Sequence, residues 1–439
     1  WDVDIARVLD FQDDNEYLRE RSSETLGLLY KLHWPYYQYE TARNKIQSPL
    51  YDILKSNGAC FGEAAGWERP NWYTSTNQEA KYEYSYGRQN WFENVREECE
   101  AVRSNMGLFE LTSFSKFIIK GKDSTNYLNH VCVSNMDTSI GKVTYTQLLN
   151  EDAGTEADIT ITRLENNKYL YVTAPTSHNK DLFWLQFHSK KFKNLEITDV
   201  TKNYGCLSLM GPRSRAFLQT LLNVDISNES IPFGYSKKVK INSVECLLSR
   251  ITYVGELGFE IYVPYKNIRD IFNLIFNEGK REDLKLAGYH ALNSLRTEKG
   301  YLHWGHDITV EENPYEAGVG FCVNMEKDNF LGKKALKDRI KTVPSKRKIN
   351  LSLSDNNLLL YHNEPIFFDG ESVGEITSGM YGFSLDKSLG MGYISSTDKY
   401  SIEDMLELQK FEIEIAGYRY IADGSVKSFY DPKREKILS

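Results

Sequence analysis

Three separated segments carry the residue types that could do chemistry. The first is Tyr145-Thr146-Gln147-Leu148-Leu149-Asn150, followed by Ala153-Gly154-Thr155-Glu156-Ala157-Asp158-Ile159-Thr160. Ile159 and Ile161 alternate onto one face of a strand, which leaves Asp158 and Thr160 on the other. Asp158 is then either a solvent-facing strand residue or turn cap, or a carboxylate held in a site. The second is Tyr253-Val254-Gly255-Glu256-Leu257-Gly258-Phe259-Glu260-Ile261-Tyr262-Val263-Pro264. Phe259, Ile261 and Val263 share one face, with Glu260 and Tyr262 opposite. Glu260 is either exposed or lies beneath a ligand, where a carboxylate accepts two parallel N–H bonds from a planar, amidine-like group. The third is Leu295-Arg296-Thr297-Glu298-Lys299-Gly300-Tyr301, with Gly305-His306-Asp307-Ile308 and Pro314-Tyr315-Glu316-Ala317-Gly318 beyond it. Arg296 at a helix end is ordinarily a structural pair-former and less commonly an anion clamp.

Other chemistries find no pattern. There is no G-x-G-x-x-G after a strand, no P-loop and no G-x-S-x-G. His303 and His306 are the one local histidine pair, and H-x-x-H lacks the i, i+4 spacing that lets one helix face hold a metal. No metal site is expected.

The elements that must position these residues are short and mixed. Phe117-Ile118-Ile119-Lys120-Gly121 reads as a strand, and the runs Ile159–Leu164 and Tyr169–Thr173 flank Asn166-Asn167, a hairpin signal. A helix is expected to start at Gly211-Pro212-Arg213-Ser214-Arg215, with proline in its first turn. Ile268, Ile271, Phe272 and Ile275 form one helical stripe, and a further helix from Ala287 to Glu298 stops at Gly300. Residues 1–90 read as helical and aromatic, with Glu16–Arg21 and Trp34-Pro35-Tyr36-Tyr37. Trp1, Trp34, Trp67, Trp72 and Trp91 are five of the seven tryptophans. The cluster Gly66-Trp67-Glu68-Arg69-Pro70-Asn71-Trp72 is either a local hydrophobic cluster or a docking face for another domain. Val343-Pro344-Ser345-Lys346-Arg347-Lys348 reads as a linker to a small all-β barrel or sandwich with turns at Asp369-Gly370, Ser378-Gly379 and Gly417.

A length of 439 residues suggests two to four domains. The 53 Lys and Arg against 61 Asp and Glu leave a net charge of −8, which disfavours nucleic acid or an anionic membrane as partner. No apolar run approaches the roughly 20 residues that span a bilayer. Cys60, Cys99, Cys132, Cys206, Cys246 and Cys322 are scattered and read as buried thiols of an intracellular protein.

Taken in order, Y-T-x-x-x-N…G-x-x-x-D, Y-x-G-E-L-G-x-E and L-R-x-E-K-G-Y…W-G-x-D-I…P-x-E-A-G resemble the aminomethyltransferase (glycine-cleavage T-protein) superfamily. Trp1-Asp2-Val3-Asp4, Ser48-Pro49-Leu50-Tyr51-Asp52, Gly58-Ala59-Cys60-Phe61-Gly62-Glu63 and the 66–72 cluster resemble the middle and C-terminal part of dimethylglycine and sarcosine dehydrogenases. In those enzymes an N-terminal FAD domain oxidises an N-methylamine and a C-terminal folate domain captures the one-carbon unit. The resemblance implies an α+β, multi-domain, T-protein-like folate-binding fold: an adaptor over 1–95, a folate-binding body over 96–342 and a β domain over 343–439. It puts the reactive aspartate on Asp158 and the pterin-binding carboxylate on Glu260, with Tyr253 nearby. Phe114, in Ser113-Phe114-Ser115-Lys116-Phe117, matches an apolar wall of the pterin pocket, and Tyr145 is a further candidate. Arg296 falls in a matching motif, with a role either on the ligand or in orienting a carboxylate. Ala153-Gly154 stands where Gly-Gly is usual, and Glu110 where Asp is usual.

The implied chemistry needs tetrahydrofolate, whose N5 is a nucleophile toward an iminium or formaldehyde equivalent. A carboxylate near N5 takes a proton and stabilises developing positive charge, and paired pterin donors suit a fixed glutamate. The expected function is capture of a one-carbon unit from a methylamine such as dimethylglycine or sarcosine, giving 5,10-methylenetetrahydrofolate. A free-standing folate-dependent demethylase or glycine-cleavage-type aminomethyltransferase, and a non-catalytic folate-binding module, are the alternatives. Residue 1 is Trp rather than Met and no dinucleotide fingerprint is present, so no FAD site is expected within the chain. A flavoprotein domain or subunit is the expected partner at the N-terminal segment. The expected location is cytoplasmic, or the mitochondrial matrix in a eukaryote.

Overall fold

A computed structural model describes residues 8–75, 78–341 and 345–439. Trp1-Asp2-Val3-Asp4, Val343 and Pro344 lie outside the described residues. The fold consists of two large sheets with helices packed on them and a closed barrel.

Near its start the chain forms the helix Asn15–Leu28, with a second helix, Tyr51–Ser56, further on, and Asp14 caps the first by accepting from the N–H groups of Glu16 and Tyr17 at 2.7 and 3.0 Å. The aromatic stretch that follows is not helical. Ala59–Ala64 and Trp67–Tyr73 pair as an antiparallel hairpin, turned by Ala65 and Gly66 at positive φ. Trp67, Trp72 and Trp91 are buried, and Trp72 and Trp91 join Tyr262, Tyr289 and Leu295 in one core. These side chains are therefore core of this molecule.

Six strands make the first large sheet, in the order Tyr235–Ile241, Val244–Arg250, Gly258–Pro264, Tyr204–Met210, Gly107–Glu110 and Lys285–Leu286. The inward residues of Gly258–Pro264, namely Phe259, Ile261 and Val263, pack against the stripe Ile268, Ile271, Phe272 and Ile275 of helix Ile268–Lys280. A second, five-stranded sheet runs Val143–Leu149, Thr155–Glu165, Lys168–Thr173, Ser115–Lys120 and Glu196–Asp199. Its buried face carries Ala157, Ile159, Ile161, Tyr169 and Tyr171. The third unit is a closed barrel of six strands, with a helix, Ile402–Leu408, between two of them. It is therefore a barrel rather than a sandwich, though not purely β.

Three element boundaries differ from expectation, each for a local reason. The helix after Pro212 spans Ser214–Leu221, so proline precedes it instead of opening it. The helix expected from Ala287 starts at Tyr289, because the Ala287 N–H still donates to the Leu108 carbonyl at 3.0 Å and extends the sheet. It ends at Lys299, with Gly300 at φ 69° as a left-handed stop. Lys346, Arg347 and Lys348 are not linker; they open the barrel strand Lys346–Leu353. The buried Lys348 ammonium is satisfied by the Gly300 carbonyl at 3.1 Å and Asn350 Oδ1 at 2.9 Å.

Candidate functional site

The hairpin Val143–Leu149/Thr155–Glu165 sets Gln147 directly opposite Asp158 and Tyr145 opposite Thr160. Because side chains alternate, Tyr145, Gln147, Asp158 and Thr160 share the face away from the Ile159/Ile161 core. Gln147 Nε2 donates to Asp158 Oδ1 at 2.7 Å, and the Tyr145 hydroxyl is a second donor to the same carboxylate. No cation pairs with it among the described residues. Burial pushes the Asp158 carboxyl up to about 6, against the pull of these two hydrogen bonds. The turn before it tolerates the departure from Gly-Gly: Ala153 takes φ 67°, and Asn150 closes the turn through its backbone and its Oδ1, which accepts from the Gly154 N–H at 2.8 Å. Gly154 itself is required by close approach, since a Cβ there would meet the Val310 carbonyl oxygen at 1.8 Å.

Glu260 sits mid-sheet between Ser249 on one neighbouring strand and Ser208 on the other. It accepts from the Tyr262 hydroxyl at 2.6 Å. Burial raises its carboxyl, while that bond and the nearby Lys116 ammonium lower it. Lys116 is itself buried, which pulls it down to about 8, and its Nζ donates to the carbonyls of Thr112 at 2.9 Å and Phe114 at 2.7 Å. It thereby fixes the loop that carries Phe114. Phe114 and Tyr253 are partly buried against the same cluster as Tyr262. The buried hydroxyls of Ser208 and Ser249 have no hydrogen-bond partner. A carboxylate with spare lone pairs, orphaned hydroxyls on either side and aromatic walls fit a flat heterocycle with paired N–H donors, such as a reduced pterin.

Tyr253 lies within the fields of Asp158, Asp307 and Arg296. Its hydroxyl donates to the Leu302 carbonyl at 2.6 Å, and its ring stacks on Tyr301 with centroids 6.0 Å apart. Arg296 is heavily committed to protein acceptors. It donates to Asp307 Oδ2 at 2.5 Å, the Tyr301 carbonyl at 3.1 Å, Ser378 Oγ at 2.9 Å and Asn293 Oδ1 at 3.3 Å. Asp307 Oδ1 also accepts from Thr377 Oγ1 at 2.6 Å, so this pair ties the helix Tyr289–Lys299 to the barrel.

Gln147, Lys116 and Cys322 were not singled out by spacing. Only the hairpin register reveals the first, and only tertiary packing the other two. Glu110 is buried, raised by desolvation, and accepts from the Thr112 N–H at 3.2 Å, so the longer carboxylate is absorbed within its own turn. Burial pushes His303 down to about 3 and also lowers His306, whose ring lies 4.7 Å from it. No cluster that could hold a metal, and no helix long and apolar enough to cross a membrane, occurs among the described residues.

Two sheets, each carrying a desolvated carboxylate, and a closed six-stranded barrel are the architecture of a folate-dependent aminomethyltransferase. Residues 50–327 match the GCVT N-terminal domain, and residues 346–431 match the glycine cleavage T-protein C-terminal barrel domain. The chain belongs to the glycine cleavage T-protein family. Residues 1–48 match the FAD dependent oxidoreductase central domain. The 4-methylaminobutanoate oxidase (formaldehyde-forming) of Paenarthrobacter nicotinovorans is 37% identical over 99% of this chain and 52% of its own length. Dimethylglycine dehydrogenase of Rattus norvegicus is 33% identical over 85% of this chain and 43% of its own. The chain thus spans about half the length of these relatives. An aminomethyltransferase of Caldanaerobacter subterraneus is 32% identical over 80% of this chain and 89% of its own. The structure of aminomethyltransferase T from Bartonella henselae superposes with a TM-score of 0.75 at 24% identity, over 89% of this chain and 99% of that one.

Proposed function

We propose that this chain carries out tetrahydrofolate-dependent one-carbon transfer, capturing the iminium or formaldehyde-equivalent carbon that a flavin-bearing partner generates by oxidising an N-methylamine such as dimethylglycine or sarcosine, to give 5,10-methylenetetrahydrofolate. The observation that carries this reading is Asp158: a carboxyl with neutral donors only, pushed up to about 6, on a site face shared with Tyr145. A carboxylate poised near neutrality takes and returns a proton at little cost, which suits general acid–base work. Bound tetrahydrofolate supplies the nucleophilic nitrogen that accepts the carbon. Asp158 is read as taking the proton released at that nitrogen and stabilising positive charge there. Glu260 holds the pterin by its paired N–H groups, Phe114 and Tyr253 wall it, and Arg296 acts through Asp307 rather than on the ligand.

The N-methylamine class is supported by the relatives, whose names share an N-methylated amino acid. The match over residues 1–48 supports a flavin-bearing domain or subunit as the partner that delivers the carbon. Calorimetry with a reduced folate and turnover by Asp158→Asn test the reading together. Micromolar folate binding that survives within a few-fold in the variant, with turnover lost, is expected. Absence of folate binding removes the enzymatic reading, and full activity of Asp158→Asn removes Asp158 from its role.

A further inference from the structure

A glutamine side chain has a donor end and an acceptor end, exchanged by a flip about one bond. Gln147 is fully buried, and its amide must present N–H to Asp158. Flipped, its carbonyl oxygen would face a carboxylate oxygen at hydrogen-bonding distance, which is repulsive. The other end of the amide selects between the two states. Gln147 Oε1 accepts from Cys322 Sγ at 2.5 Å, and burial raises the Cys322 thiol, so it stays an S–H donor. The Val319 carbonyl, 3.0 Å away, is the alternative acceptor for that proton. Cys322 ends the one-turn helix Gly320–Cys322, and its carbonyl accepts from Ser134 Oγ at 2.7 Å. The preceding residue, Phe321, is 79% exposed, yet its ring stacks on Tyr145 with centroids 6.1 Å apart and planes 26° from parallel. Both donors to Asp158 are thus backed by consecutive residues of one turn.

We infer that the turn Gly320–Cys322 positions the Asp158 carboxylate through two relays, Cys322 acting on Gln147 and Phe321 acting on Tyr145. Gln147, Cys322 and Phe321 are then positioning residues for the transfer, and this role rests on the reading of Asp158 given above. The titratable groups whose fields reach Asp158 are Tyr145, Tyr253, Cys322 and Tyr393, all raised and uncharged at neutral pH. With no cation in that set, the two hydrogen bonds are the main brake on its protonation.

The test follows the Asp158 carboxyl by carbon NMR in protein labelled at aspartate Cγ, the signal being assigned by its loss in Asp158→Asn. Gln147→Leu removes a bond to the ionised form, so the titration midpoint moves up by about one pH unit. Cys322→Val keeps volume without a donor and moves it the same way by less, whereas Cys322→Ser restores the donor and the wild-type midpoint. The acid limb of kcat/KM follows the same order, with folate affinity within about two-fold of wild type. Midpoints unchanged in Gln147→Leu and Cys322→Val overturn the inference, even where Asp158→Asn is inactive. Midpoints that move while every variant, including Asp158→Asn, turns over normally leave the positioning intact and overturn the function instead. Should Gln147→Leu fail to fold, the Val and Ser variants of the part-exposed Cys322 decide the matter alone.

Discussion

Asp158, half-buried, and Asp307, fully buried, both act on Tyr253, and their surroundings push them in opposite directions. Asp158 has two neutral donors and rises to about 6. Asp307 faces the Arg296 guanidinium at 2.5 Å, accepts from Thr377 Oγ1 and the His303 N–H, and falls below its ordinary value. Desolvation acts on both, so the cation is what separates them. A buried carboxylate with an arginine is a fixed anion that joins two units. One without a cation is held near its titration point, the condition that proton transfer needs.

The contrast breaks hardest on activity. Asp158→Asn preserves shape and an acceptor for Gln147 but removes the titrating group, so turnover should fall by about 10²–10⁴-fold with folding intact. Steady-state rates beside a circular dichroism melt check this. Arg296→Met strikes the other carboxylate, leaving Asp307 buried and unpaired, and should lower unfolding free energy by about 3–5 kcal/mol. Denaturant midpoints read this loss. If Arg296→Met instead melted like wild type and lost folate affinity selectively, arginine would belong on the ligand. Glu260→Ala removes the acceptor for two N–H groups and should weaken reduced-folate binding by about 10–100-fold, measured calorimetrically, with little change in stability.

The smallest effect concerns pH. Asp158 binds its proton more tightly when folded, so it adds stability at low pH that is lost as pH rises from about 4 through about 6. Asp158→Asn should therefore melt higher than wild type at neutral pH, by at most about 3 kcal/mol, with the gap closing below about pH 4. Asp307 runs the other way. Its contribution is present above the ordinary 3.8 and disappears as acid protonates it.

Much of this was legible in the chain. Alternation in Phe259–Val263 and Ile159–Ile161 placed Glu260 and Asp158 on the faces where the structure has them, because strand periodicity is a local property. The stripe of helix Ile268–Lys280 and the stop at Gly300 were equally local. What failed was non-local. The front does carry helices, Asn15–Leu28 and Tyr51–Ser56, but its segment Ala59–Tyr73 is a hairpin whose Trp72 shares a core with Tyr289 and Leu295, more than 200 residues away in the chain. Gln147 looked like an ordinary strand polar residue until register set it across from Asp158, and no spacing rule links it to Cys322. Arg296 was open between ligand and carboxylate, and the partners that fill its guanidinium lie partly in the barrel.

A crystal structure with a bound reduced-folate analogue tests the central claim most directly. The account predicts the pterin N–H groups on Glu260 and N5 within hydrogen-bond reach of the Asp158 carboxylate, directly or through one water. A pterin seated elsewhere, or N5 well beyond the reach of Asp158, would contradict it.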